Sequence, residues 1–156
     1  MHRVVDALLG DITLSAPFDA AEFCQQVAAR RGRPIHLRAV DTVALDLPSG
    51  VVYELDEASV ILYDGTTSAY HQSGIILHEI GHLVADHYAG SLVSEDAAAR
   101  LFPEIGRHQA RRRAGREAYS AQEEQEAEYF GRRVLAEVGR LPGPGAGDRL
   151  KDTFDA

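Results

Sequence analysis

His78-Glu79-Ile80-Gly81-His82 is the stretch on which the reading of this chain turns. Residues four apart on a helix share a face, so His78 and His82 can present two imidazole nitrogens to one metal ion. Glu79, about 100° round the helix from His78, can flank such an ion without binding it and handle the proton of an attacking water. Ile76, Leu77, Ile80, Leu83 and Val84 gather on the opposite side as a core-facing stripe. Gly81 and Ala85 lie between the two faces, where small residues let another helix come close. The helix is expected to start from the turn and cap residues Asp64-Gly65-Thr66-Thr67-Ser68, run to about Tyr88 and end before Gly90.

Two histidines need a third ligand. The single cysteine, Cys24, excludes an internal disulfide and a Cys-based zinc site, so the missing donor is a histidine or a carboxylate. Cys24 itself reads as a small core residue. By the helical count His87 points about 180° away from His78 and is a poor candidate. The longer H-E-x-x-H-x-x-G-x-x-H pattern is excluded, because Ala85 and Tyr88 occupy its Gly and third His positions.

Carboxylates crowd the start of the last helix, where Ser120 and Glu123 make a capping-box pair and Gly139 marks the end. Its apolar face is Ala127, Phe130, Gly131, Val134, Leu135 and Val138. Glu123 and Glu124 fall within that face, while Glu126 and Glu128 sit near its edges. An inward carboxylate among apolar residues is costly unless a cation accompanies it, and a metal held by two histidines is such a cation. Geometry therefore leaves two candidates: Glu123, already engaged by the capping box, and Glu124, which has no comparable structural task.

The rest of the chain supplies a frame. A first stretch to about Ala16 reads as a short helix or irregular lead-in. Asp19 and Glu22 form a start signal for an amphipathic helix of about three turns. Its apolar residues are Ala20, Phe23, Cys24, Val27 and Ala28, Gly32 and Pro34 stop it, and Arg30 and Arg31 sit at its negative end. From Ile35 to Val40 the period changes to two, as on a half-buried strand, with His36 facing solvent. Val51 to Leu55 and Ser59 to Tyr63, rich in β-branched and aromatic residues and separated by Asp56-Glu57, read as a hairpin. A short helix is expected from Ser94 to before Pro103. Arg107, Arg111, Arg112, Arg113 and Arg116 form a basic run that reads as a solvated helix face or mobile loop, with a contact surface for an acidic partner as the functional alternative.

At 156 residues and 45% hydrophobic content, the chain is the size of one domain with a sizeable core. A single α+β domain over 1–140 is expected, with a Gly/Pro-rich, mobile tail over 141–156. Its net charge of −8 disfavours direct nucleic-acid binding, which needs clustered cations. No apolar run approaches the ~18 residues of a membrane span, and charge interrupts Met1-His2-Arg3-Val4-Val5-Asp6 too early for a signal peptide. A cytoplasmic protein is the expectation.

The segment Glu124-Gln125-Glu126-Ala127-Glu128-Tyr129-Phe130-Gly131 resembles the Glu-x-x-Ala-Asn-x-Phe-Ala signature that follows H-E-x-G-H in the ImmA/IrrE family of metallopeptidases. It is also similar to the glutamate helix of thermolysin-type gluzincins, and both registers put the ligand at Glu124. The resemblance covers roughly Ala20 to Leu135, and it makes Ser59-Val60-Ile61-Leu62-Tyr63 similar to the family's substrate-side strand. It departs at Glu128, where the family has Asn or Asp to support a ligating histidine.

The resemblance implies a compact minimal zincin fold: a small, mostly antiparallel sheet of about three strands packed on the His-Glu helix, with a second, glutamate-bearing helix. It further implies a zinc endopeptidase with His78, His82 and Glu124 as ligands and Glu79 as general base. The implied substrate is a separate helix-turn-helix repressor, held as an extended peptide along the edge of the Ser59 to Tyr63 strand. A zinc-stabilised binding module without proteolysis and a maturation protease for a small precursor peptide are the alternatives. An oxyanion-stabilising group is also expected, with His71, Tyr88, His108 and Tyr119 as candidates.

Overall fold

A computed structural model of the chain describes residues 1–87, 100, 101, 103, 110–114 and 119–142. The described elements are α1 (His2–Asp11), α2 (Ala20–Arg31), β1 (Ile35–Val40), β2 (Gly50–Leu55), β3 (Ser59–Asp64), α3 (Ala69–Val84), β4 (Ala110–Ala114) and α4 (Ala121–Val138). This is the expected α+β arrangement. Of the helix expected from Ser94 to before Pro103, Arg100 and Leu101 are described and helical; the rest of it and the tail from Gly143 onward lie outside the described residues.

Local chemistry sets most of the boundaries. Asp19 accepts hydrogen bonds from the Ala21 and Glu22 amides at the start of α2, and Gly32, at φ 65°, closes it in the left-handed conformation that glycine adopts without a steric penalty. Ser68 caps α3 through the His71 amide. At α4 the Ser120 hydroxyl accepts from the Glu123 amide at 3.2 Å while Glu123 accepts from the Ser120 amide at 2.8 Å, the reciprocal pair the sequence predicts.

The sheet has strand order β1-β3-β2-β4. β2 and β3 form the expected antiparallel hairpin, with Val52 opposite Ile61 and Tyr53 opposite Val60. β1 runs parallel to β3. The Arg33 guanidinium holds the two units together, donating to the Glu54 carboxylate at 3.2 Å and to the Asp56 and Ala58 carbonyls at 3.1 Å across the hairpin turn.

Two expectations change here. The basic run is not a helix face or a loop over 110–114, since those residues form β4, antiparallel to β2 with Glu54 opposite Arg112. An arginine triplet has little intrinsic strand preference; the unpaired edge of β2 supplies the backbone partners that decide it. The second change concerns the strand from Ser59 to Tyr63. It lies inside the sheet between β1 and β2, so it offers no free edge on which a peptide could pair.

Alternate residues of the hairpin feed two cores. Val52 and Ile61 join Phe23, Cys24, Val27, Ile76, Leu77, Ile80, Leu83, Phe130 and Val134 on the helical side. Val51, Tyr53, Leu55, Val60 and Leu62 fill the other face. His36 is exposed, as its strand periodicity predicts. Cys24 is buried, and burial pushes its thiol up to about 12, the behaviour of an inert core residue.

α3 and α4 pack closely at Gly81. A Cβ placed on Gly81 would meet the Ala127 Cα and carbonyl oxygen at 3.0 Å and the Phe130 Cβ at 3.2 Å, so any side chain there presses on α4. At Gly131 a Cβ would meet Leu77 Cβ at an ordinary 3.6 Å. Gly81→Val should therefore cost ~1–3 kcal/mol through forced separation of the helices, whereas Gly131→Ala should be near neutral or stabilising. Urea unfolding of both variants measures the difference, and equal effects would contradict a close crossing centred on Gly81.

Candidate metal centre

His78 and His82 project from successive turns of α3 toward the first turns of α4, which the Gly81 to Ala127 contact draws close. Their Nε2 atoms are 3.1 Å apart. Glu124 Oε2 lies 3.1 Å from His78 Nε2 and 3.9 Å from His82 Nε2. One donor atom from each of the three falls within 4.8 Å of the others. Donors bound ~2.0–2.1 Å from a tetrahedral centre sit about 3.3 Å apart, so this triangle has the dimensions of three corners of a metal site.

The chemistry of the donors fits a cation as well. Two imidazole nitrogens and a carboxylate oxygen converge, and Glu124 Oε1 is buried without a hydrogen-bond partner among the described residues. Such an arrangement is expensive unless a metal balances it. The capping box leaves Glu123 pointing at the Ser120 amide, so of the two candidates Glu124 is the one that reaches the histidines.

Glu79 and His82 are almost fully enclosed, at 2% and 1% exposure, rather than lying on an open polar face. The start of β2 covers Glu79. A Cβ on Gly50 would lie 2.5 Å from Glu79 Oε1 and 2.7 Å from Ile75 Cγ2, so the strand backbone passes directly over the carboxylate. The sequence marks Gly50 only as part of a Pro-Ser-Gly turn, and no local pattern points to this contact. Burial, with His78 and His87 nearby, lowers His82 to about 3, which keeps its ring neutral and available as a ligand.

Of the two oxyanion candidates among the described residues, His71 and Tyr119, one lies at the site. Tyr119 stacks on His82 with ring centroids 3.6 Å apart and planes within 6°. Its hydroxyl is buried and has no hydrogen-bond partner among the described residues. Burial first, then the charges of Glu79 and Glu124, push its ionisation well above the ordinary phenol range, so the hydroxyl keeps its proton. His71 instead sits at the exposed start of α3 beside Thr67, and Tyr88 and His108 lie outside the described residues.

His87 departs from the helical count. α3 ends at Val84, about a turn before the expected end, because Asp86 adopts φ 53° and turns the chain back. The Asp86 amide donates to the Leu83 carbonyl at 3.3 Å and the His87 amide to the His82 carbonyl at 3.0 Å, a Schellman closure. His87 Nδ1 thereby comes to 3.0 Å from His82 Nδ1, and its Nε2 to 2.8 Å from Glu126 Oε2. The hydrogen bonds from His87 and Gln122 hold the Glu126 carboxyl below its usual range. Glu128, in the position where the resemblance expects a support for a ligating histidine, is largely exposed and pairs with Arg132 at 3.4 Å.

Comparison with known protein families, curated proteins and solved structures gives no match for this chain. The site therefore rests on its own geometry. Gly50→Ala should cost ~1–3 kcal/mol through overpacking against Glu79 and Ile75. The same change at Gly10, which has nothing within 4 Å of an added Cβ, should not destabilise. Chemical denaturation of the two variants checks this.

Proposed function

We propose that the chain is a zinc-dependent endopeptidase of the ImmA/IrrE-like kind, acting in the cytoplasm on a separate helix-turn-helix repressor or another specific protein partner. The observation that carries the reading is the meeting of His78, His82 and Glu124 from two helices at metal-ligand spacing, with Glu79 buried beside them. The described residues contain no helix long and apolar enough to cross a membrane.

His78, His82 and Glu124 would hold the zinc ion. Zinc bound there supplies a Lewis acid that acidifies water and polarises a carbonyl. Glu79 takes a proton from the attacking water as oxygen bonds to the peptide carbon, then passes it to the leaving nitrogen as the C–N bond breaks. Tyr119, with a protonated and unpartnered hydroxyl beside His82, donates to the oxygen that becomes negative. Gly50 keeps β2 bare where the Glu79 carboxylate sits, so the base is held by packing. With β3 inside the sheet, an extended substrate is assigned to no strand edge.

Glu79→Gln should retain stoichiometric zinc while lowering cleavage at least ~100-fold. Cleavage is read with a quenched-fluorescent degenerate peptide library and with a purified helix-turn-helix repressor offered as substrate. Unchanged cleavage would sink the mechanism. Tyr119→Phe should bind zinc as the parent does and lose ~10²–10³ in kcat with little change in KM; an effect confined to KM would assign Tyr119 to substrate binding.

The enclosure of Glu79 and His82 favours a second reading, a zinc-stabilised module that binds its partner without cutting it. Mass spectrometry of the zinc-loaded mixture separates the two. A new amino terminus on the partner supports the peptidase, and two intact chains in a lasting complex support the module. Cleavage confined to a small precursor peptide would identify a maturation protease.

A further inference from the structure

The His82 ring can serve a metal at Nε2 only if its proton is on Nδ1. Behind it, His82 Nδ1, His87 Nδ1, His87 Nε2 and Glu126 Oε2 form a continuous chain with links of 3.0 Å and 2.8 Å. When both rings are neutral, their protons can order along such a chain in two directions. With His82 donating from Nδ1, His87 accepts at Nδ1 and donates from Nε2 to the carboxylate, and every link carries one proton. In the opposite order, His87 Nε2 turns a lone pair toward the anionic Glu126 oxygen at 2.8 Å. The His82 proton then sits on Nε2, 3.1 Å from His78 Nε2, where a metal would need a lone pair. The Glu126 charge selects the first order.

We propose that Glu126 and His87 are positioning residues that preset His82 as the Nδ1–H tautomer, with its Nε2 lone pair directed at the metal position before any metal arrives. The proposal rests on the metal-centre reading above and deepens it by assigning the support that Glu128 does not provide. A carboxylate bonded directly to a ligating histidine is the usual form of such support; here a second imidazole is interposed. The Schellman turn at Asp86 makes this possible, because a continued helix would carry His87 away from His82. His87 is enclosed, at 7% side-chain exposure, so water does not compete freely for its nitrogens. Glu126 is more open, at 29%, so its replacement removes the charge without opening the core.

Nitrogen-15 NMR of the metal-free protein at neutral pH tests the order directly. The parent protein should show His82 with its proton on Nδ1 and His87 with its proton on Nε2. Glu126→Ala should shift His82 toward the Nε2–H form and weaken zinc binding about 10–100-fold in competition with a chelating dye. Glu126→Asp should recover part of both. His87→Phe, which keeps an aromatic ring but breaks the chain, should reproduce the Glu126→Ala loss and alter the cobalt(II) absorption spectrum of the substituted site. A parent His82 protonated on Nε2, or a Glu126→Ala protein with unchanged tautomer and zinc affinity, overturns the proposal. A parent protein that takes up no zinc overturns the metal-centre reading and the relay's purpose with it, and is recognised because the loss precedes any substitution.

Discussion

The site depends on one contact, the approach of α3 to α4 at Gly81 and Ala127. A backbone on one helix touches a backbone on the other, with a hydrogen atom in place of a side chain. That distance sets the reach of Glu124, which stands nearly one helical turn before Ala127 and meets histidines one residue after and three residues before Gly81. A wider crossing would leave the carboxylate short of the imidazoles. The His78-His82-Glu124 triangle is thus a by-product of helix packing, and the apolar surfaces of Ile80, Leu77, Phe130 and Val134 supply the driving force that holds it.

Enclosure then shapes the chemistry. Burial keeps His82 neutral and Tyr119 protonated, so the ring keeps a lone pair and the hydroxyl keeps its proton over the same pH range. Both effects arise from the same cover: Tyr119 lies flat on His82, and the start of β2 closes over Glu79. Packing a base against a strand backbone limits its rotamers, the kind of preorganisation a proton-transfer group requires. Enclosure also restricts entry, which is why proteolysis and non-proteolytic binding remain physically distinct readings of one site.

Much of this was legible in the chain itself. Helical period and capping residues locate α2, α3 and α4, and the two-residue period locates the hairpin, because these signals are local and repeat several times within each element. The pair His78 and His82 follows from spacing, and the small residue at 81 anticipates a close helix. Legibility fails where a partner decides the outcome. β4 is a strand because β2 has an edge to offer, and β3 is interior because β1 lies alongside it; neither fact is written in the segment concerned.

What the sequence by itself determined is the set of elements and the residues able to bind a metal, since both depend on short-range spacing along one helix or strand. Tertiary structure decided which glutamate completes the triangle, that Tyr119 lies flat on His82, and that Gly50 leaves room for Glu79. It also decided the fate of His87, which helical geometry sends away from the site and a left-handed Asp86 brings back. The physical reason is common to all four: each contact joins groups on different elements, or on either side of a chain reversal, and helix crossing and turn geometry set those distances where periodicity does not.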